Sequence, residues 1–419
     1  MAHLSSRTYH DPLHGAITLD AADPTEALLI QLIDTPAFQR LRRIRQLGPA
    51  SLTFHGAEGS RFTHSLGVMY VARLVFDRLA KRYPDLLPHR TVALCAALLH
   101  DVGHGPFSHT CEEIFHGNHE HWTQRILQES SEVLDLLTQA SLTLVDEIVA
   151  VYRKQYVLPM VSQLVTSQLD CDRLDYLMRD SYFTGASYGK IDLDRILLAL
   201  DYDPKSQQLV VGRKGLAAIE HYLVVRYFMY VQVYNHAKNI AAGWLLERIM
   251  HRARQQLALG QLNADLTLTA WLSKPNADLT LKEYLSADDG VFLYHVQRWC
   301  ESADAILRDL CTRYRDRNLF KAKNISQHSQ QERDRLFQAA QASLREKSLD
   351  PDYYVGLQFA TTRGYTLYQR GIQVQTGAGS LTEMSELSPL VQTLIQPLER
   401  SWLVYPREIE PFLLTATEY

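Results

Sequence analysis

The sequence predicts a mainly α protein, a helical core followed by a smaller α+β C-terminal region. Three observations predict it. Apolar residues recur at helical spacing through the first two-thirds of the chain. From about residue 353 they alternate instead, as strand residues do. No internal repeat or low-complexity segment interrupts either regime.

Thr35 and Pro36 read as N-cap and first helical residue, and Gly48 as a stop, so 36–47 is predicted as a short helix. From His64 to Tyr83 the apolar residues Val68, Val71, Leu74, Val75 and Leu79 keep a helical period, and Pro84 and Pro88 then break the chain. Residues 91–101 form a strongly apolar helix stopped by Gly103, Gly105 and Pro106. Further helices are expected over about 119–139, 143–153, 160–180, 192–200 and 215–258. Residues 260–345 read as polar helices with loops. Val355, Leu357 and Phe359, then Tyr365 and Leu367, then Ile372 and Val374 alternate as strands, with Gly364 and Gly371 as turns. Residues 389–397 read as helix and WLVYP as a last strand. The expected division is 1–258 catalytic, 259–345 helical extension and 346–419 mixed α/β lobe.

A chain of 419 residues, 46% hydrophobic and 21% charged, can bury a sizeable core without disulfides. No apolar run approaches the ~20 residues that span a bilayer, and the start, MAHLSSRTYHDPLHG, carries no apolar signal segment. Five cysteines (Cys95, Cys111, Cys171, Cys300 and Cys311) lie outside any CxxC pair, which fits a reducing cytoplasm. The net charge of −4 argues against a polycation built for nucleic acid. Arg40, Arg42, Arg43 and Arg45 nevertheless cluster, as a solvated basic face or an anion site.

The chemistry centres on His100 and Asp101 at the end of an apolar helix. Two ionisable side chains there need satisfaction. A polar helix end would account for the pair taken alone. His64, in RFTHSLG, and Asp172, in SQLDCDRLDYLMRD, change the balance. Two imidazoles and two carboxylates on three helices form a nitrogen–oxygen donor set suited to Fe, Mn, Ni or Zn, and less to Mg. The following loop carries His104 and His109 with Glu112 close behind, and GNHEHW adds His119, Glu120 and His121. Imidazoles near neutral pH suit proton transfer and phosphate contact, and Glu112 is placed to orient His119. Asp172, Asp175, Tyr176 and Arg179 fall at i, i+3, i+4 and i+7, one helix face directed at one cleft. A P-loop, a GxSxG elbow and a cysteine zinc pattern are all missing from the sequence.

The ordered motifs DPLHG, IDTPAFQRLRRIRQLG, RFTHSLG, HDVGHGPFSH, DRLDYLMRDS and RNLFK, spanning about Arg7 to Lys321, resemble the HD-domain phosphohydrolases. Within them the match is nearest the deoxynucleoside triphosphate triphosphohydrolase branch. DPLHG begins at Asp11, so no SAM domain is expected ahead of it. The resemblance implies a helical HD-domain core in which His64, His100, Asp101 and Asp172 hold a divalent metal, Mg riding on the triphosphate itself. It implies that His104, His109 and His119 contact phosphate and move protons, with Glu112 as the carboxylate of the catalytic group. It implies a substrate pocket of Gln46, Leu47, Arg61, Arg173, Tyr176, Asp180, Arg226, Tyr234 and Asn235, with a tyrosine against the ribose excluding a 2′-hydroxyl. Glu112, Arg173 and Asn235 stand where the vertebrate enzyme has Asp, Lys and Gln. The reaction implied is hydrolysis at the α-phosphorus to a deoxynucleoside and tripolyphosphate. A second site, of Arg7, Asp34, Gln39, Arg42, Arg317 and Lys321, would hold a GTP or dGTP activator between subunits of a homotetramer or homodimer. Two other readings stay open: an HD hydrolase of another nucleotide or phosphoester, and a non-catalytic nucleotide sensor or single-stranded DNA binder.

Overall fold

The computed structural model describes residues 5–367, 371–377 and 379–410. It is mainly helical, with small sheets. The chain opens with an antiparallel hairpin, Arg7–Asp11 against Gly15–Leu19. Its turn is the DPLHG motif. Asp11 Oδ1 accepts from the Leu13 and His14 backbone N–H groups, and Gly15 takes the positive φ of +73° that closes the loop. Helix Pro24–Ile33 follows, capped by Asp23 and unread in the sequence.

Thr35 caps the next helix as expected, but that helix ends at Arg40. A 3₁₀ turn, Leu41–Arg43, leads into an extended stretch bridged between Arg45 and Ser60. The arginines explain the early end. Arg40 is buried and donates to the Ala287 carbonyl, while Ile44 enters the core, so the segment is gripped on two sides. Helix Arg61–Arg82 crosses helix Arg90–Leu99, whose residues from Val92 on are almost wholly buried.

Three long helices expected from periodicity are broken. Ser130 separates His119–Glu129 from Ser131–Ala140. Asp170 caps a new helix, Cys171–Thr184, distinct from Pro159–Val165, by accepting from the Ser167 and Arg173 N–H groups. The third divides into Leu216–Met229, a π turn at Tyr230–Tyr234, and Ala237–Ala258. Such π turns are often found at functional sites.

Two apolar cores result. The first gathers helices Pro24–Ile33, Arg61–Arg82, Arg90–Leu99 and Cys171–Thr184, and also takes in Tyr365, Ile372, Val374, Met384 and Val391. The second forms around helix Ala237–Ala258. The polar-looking stretch 260–345 supplies it with Trp271, Phe292, Trp299 and Leu310, the last three from helices that also carry charged residues.

The C-terminal alternation yields strands Gly356–Thr362 and Gln373–Thr376, but Tyr365 and Leu367 are not in a strand. Tyr365 is instead buried, its hydroxyl bonded to Glu383 and accepting from the Ile372 N–H. WLVY of the expected last strand lies in strand Leu398–Tyr405, with Pro406 just beyond its end; this is the middle strand of an antiparallel sheet between Lys321–Asn324 and Gly356–Thr362. Strands Leu200–Asp203, Gln208–Gly212, Gln373–Thr376 and Ser380–Glu383 form a second sheet in that order. Among the described residues no helix is long and apolar enough to cross a membrane.

Candidate active site

Three helices converge on one point. His64 comes from the first turn of Arg61–Arg82, His100 ends Arg90–Leu99 with Asp101 next to it, and Asp172 lies in the first turn of Cys171–Thr184. Ligand atoms of His64, His100 and Asp101 all lie within 4.8 Å of one another. Asp172 Oδ1 stands 3.1 Å from His64 Nε2 and 3.7 Å from His100 Nε2.

Each imidazole is held by its other nitrogen. His64 Nδ1 bonds Asp175 Oδ2 at 2.8 Å, and His100 Nδ1 bonds the Ala97 carbonyl at 2.8 Å. Both Nε2 atoms therefore face the cluster, where each neutral imidazole would offer its lone pair to a bound cation in place of a proton. His100 Nε2 is buried and has no hydrogen-bond partner. An orphaned buried acceptor costs about 1–3 kcal/mol unless something engages it. Here it faces two carboxylates, which cannot donate to it when ionised. A cation answers all of them at once, so the residues fit a divalent metal with two nitrogen and two oxygen donors. The electrostatics agree. Burial opposes charge on His64, yet hydrogen bonds to Asp172 and Asp175 and the nearby Asp101 push its pKa up to about 10. Burial likewise opposes ionisation of Asp101, but Arg61 and the neighbouring histidines hold its carboxyl well below the usual range.

Behind His64 lies a network the sequence reading missed. Asp175 Oδ1 also meets His14 Nε2 at 2.6 Å. Arg179 clasps Asp175 through Nε and Nη2, at 2.7 and 2.9 Å, and reaches Asp11 Oδ2 at 2.8 Å. Asp11 and His14 belong to DPLHG, so the N-terminal hairpin braces a metal-facing histidine. Gly67 makes room: a Cβ there would come 2.0 Å from Asp175 Oδ1. This corrects the expectation that Asp172, Asp175, Tyr176 and Arg179 share one cleft. Asp172 and Tyr176 line it, whereas Asp175 and Arg179 pair at i, i+4 and turn inward under helix Arg61–Arg82.

The histidine loop forms a second group beside the first. His104 stacks on His119 at 3.9 Å, and His109 approaches both rings edge-on. Glu112 joins them. One oxygen meets His119 Nδ1 at 2.7 Å and accepts from its backbone N–H at 2.6 Å, and the other meets His109 Nδ1 at 2.7 Å. Burial works against the Glu112 carboxylate, but the hydrogen bonds from His109 and His119 outweigh it and keep it ionised. His104 is buried with neither ring nitrogen bonded, and burial with Arg61 and His119 nearby drives its pKa well below the ordinary value.

Both groups border a cleft of about 620 Å³, the first through Asp101 and Asp172 and the second through His104, His109 and His119, with His64, His100 and Glu112 set behind them. Gln46, Leu47, Arg61, Arg173, Tyr176, Asp180, Tyr234 and Asn235 line it. Tyr234 donates to Asp180 at 2.8 Å, and burial pushes the Asp180 carboxyl up to about 7 against that hydrogen bond. Arg173 pairs with Asp170. Arg226 does not line the cleft: it is buried behind it and donates to Gln168 at 2.9 Å, because Gln168 intercepts its guanidinium.

The six residues expected at the second site form two sets of contacts. Arg7 pairs with Asp34 at 2.5 Å, while Arg42 donates to Gln39 and covers the Phe62 ring. Arg317 and Lys321 border a separate hollow of about 230 Å³ with Lys238 and Arg407.

Residues 61–179 match the HD domain, and residues 191–405 match the HD associated region. Uncharacterized protein YwfO of Bacillus subtilis is 37% identical over 96% of this chain and 93% of its own length. The deoxynucleoside triphosphate triphosphohydrolase SAMHD1 of Danio rerio is 46% identical over 112 residues, which are 26% of this chain and 17% of that one. A phosphohydrolase from Bacteroides thetaiotaomicron superposes with a TM-score of 0.84 at 27% identity, over 96% of this chain and all of that one. An HD domain followed by its associated region, matched by full-length relatives and wrapped around a His–His–Asp cluster, identifies the chain as a member of the HD-domain phosphohydrolase family.

Proposed function

We propose that this chain is a metal-dependent deoxynucleoside triphosphate triphosphohydrolase that releases a deoxynucleoside and tripolyphosphate. The observation that carries the reading is the pairing of two clusters on one cleft: a His64–His100–Asp101–Asp172 donor set beside a His104–His109–His119 group held by Glu112. The 46% identity to a deoxynucleoside triphosphate triphosphohydrolase supports the substrate class over the HD part of the chain.

A divalent ion held by the four donors, Fe, Mn, Ni or Zn by their chemistry, supplies a Lewis acid for a phosphoryl oxygen. Mg enters with the triphosphate. The protein's own residues do the rest. Asp175 and the Ala97 carbonyl fix the tautomers of His64 and His100. Arg61, tied to Asp101 and Ser108, brings positive charge to the cleft for the phosphates. Arg173 adds a second cation, and Arg226 stands behind it. His104, kept neutral by burial, presents an uncharged imidazole to the cleft, while Glu112 orients His109 and His119 towards the leaving 5′-oxygen as the groups that carry the proton. Tyr176, Asp180 and Tyr234 bound the sugar, and Gln46, Leu47 and Asn235 the base. Overall, one water adds to the α-phosphorus, the bond to the 5′-oxygen breaks, and that oxygen takes the proton.

The proposal includes activation by a guanine nucleotide. Asp34 and Arg42 can read guanine, and the basic hollow of Arg317, Lys321, Lys238 and Arg407 supports a phosphate site. A homo-oligomer would bring the two sets together. A cytoplasmic setting belongs to the same proposal, supported by five buried free cysteines. The test is chromatography of products from the Mn- or Fe-loaded protein with each of the four deoxynucleoside triphosphates, with and without GTP. Deoxynucleoside plus tripolyphosphate is expected. Turnover of none of them, GTP included, would move the reading to another phosphoester.

A further inference from the structure

Strand Gly356–Thr362 forms a wall of the cleft through Gln358, Phe359 and Ala360. Among the described residues it is an edge strand, paired only with Leu398–Tyr405. Edge positions of this kind more often carry charged or small polar residues. Here the middle of the strand carries a phenylalanine that is 66% exposed. A single exposed apolar side chain is common on protein surfaces, so position decides the matter. The strand is pinned at both ends to the segment that forms the adjoining wall. Gly356 presses on Trp244 so closely that a Cβ would lie 2.5 Å from the indole Nε1. Thr362 accepts from Asn235 Nδ2 at 2.8 Å. Asn235 and Trp244 both line the cleft. Phe359 is thus held at the cleft on a strand docked at both ends, with most of its side chain uncovered by protein.

The same cleft also exposes Arg61, Asp101, His104 and Asp172. A ligand that satisfies all of it carries charged phosphates at one end and a flat apolar ring at the other. We infer that Phe359, from the HD associated region, is the face on which the base of the nucleotide substrate stacks. The inference rests on the nucleotide reading above and adds to it a residue that acts in substrate binding, away from the reacting phosphorus. Stacking is sequence-tolerant because every base offers a π face, so Phe359 strengthens binding of all bases rather than selecting one.

The test uses the full metal-loaded chain and three variants. Phe359→Ala should raise KM for each deoxynucleoside triphosphate about ten- to a hundredfold, the range for losing one aromatic–base stack, with kcat changed far less. Phe359→Tyr should restore it. Phe359→Trp should report directly: its added fluorescence should be quenched by a non-hydrolysable 5′-methylene dGTP analogue and not by inorganic tripolyphosphate. Unchanged KM in Phe359→Ala, or equal quenching by tripolyphosphate, would overturn the inference while leaving the triphosphohydrolase reading intact. Nucleotide binding weakened by Phe359→Ala, in a protein that never releases tripolyphosphate, would uphold the stacking face and sink that reading. A wild-type chain that binds no nucleotide overturns both.

Discussion

Replacing Asp175 with asparagine separates the metal-facing histidine from its support while leaving all four proposed ligands in place. Asp175 is fully buried and makes four contacts: His64 Nδ1 at 2.8 Å, His14 Nε2 at 2.6 Å, and Arg179 Nε and Nη2 at 2.7 and 2.9 Å. An amide keeps the volume but loses the charge, and one side becomes a donor. Arg179 then retains only Asp11 as a counter-ion in a site without solvent. Breaking one side of a buried pair costs about 3–5 kcal/mol. If the amide NH₂ faces His64, the proton moves to Nε2 and the lone pair aimed at the cluster is lost. Removing such a supporting partner lowers metal affinity about 10–100-fold. Metal content after dialysis at fixed free Mn, with thermal melts with and without Mn, measures both effects. The expected result is a lower Tm together with a weaker Mn Kd. Wild-type metal affinity in a folded Asp175→Asn protein would refute the assigned role.

Other outcomes follow from the same geometry. Glu112→Gln should cut kcat about 10²–10⁴-fold, the usual range for general acid–base groups, with metal content unchanged, as checked by elemental analysis beside steady-state kinetics. Gly67→Ala should destabilise the fold by several kcal/mol, because the added Cβ would sit 2.0 Å from Asp175 Oδ1, read by urea denaturation. Asp180 has a folded pKa near 7, above its ordinary value, because burial disfavours its charge. The folded state therefore holds that proton more tightly, and the stability it confers is present below about pH 4 and lost as pH rises through 7. Asp180→Asn should flatten that part of the stability–pH profile between pH 4 and 7.

Much of the active region was legible because its residues announce themselves locally. His100 and Asp101 end an apolar helix, and His64 and Asp172 sit in motifs with helical neighbours. The hairpin brace was not legible in this way. DPLHG was visible as a motif, but His14 meets a carboxylate 161 residues away, and no periodicity encodes that contact. A turn that carries both Asp and His was the available signal. The break between Pro159–Val165 and Cys171–Thr184 turned on Asp170, whose capping bonds outweigh the apolar period around it. Arg226 was placed by resemblance at the phosphates, and only packing reveals Gln168 in front of it. Phe359 read as one residue of an alternating strand, because its place beside the cleft depends on Gly356 and Thr362 docking on Trp244 and Asn235.

The most direct measurement is hydrolysis of a deoxynucleoside triphosphate in H₂¹⁸O, with mass spectrometry of the products. Attack at the α-phosphorus puts one ¹⁸O into tripolyphosphate per turnover and none into the deoxynucleoside, and His100→Ala should abolish both products. Release of pyrophosphate with a deoxynucleoside monophosphate, of orthophosphate, or of a labelled deoxynucleoside would contradict the account.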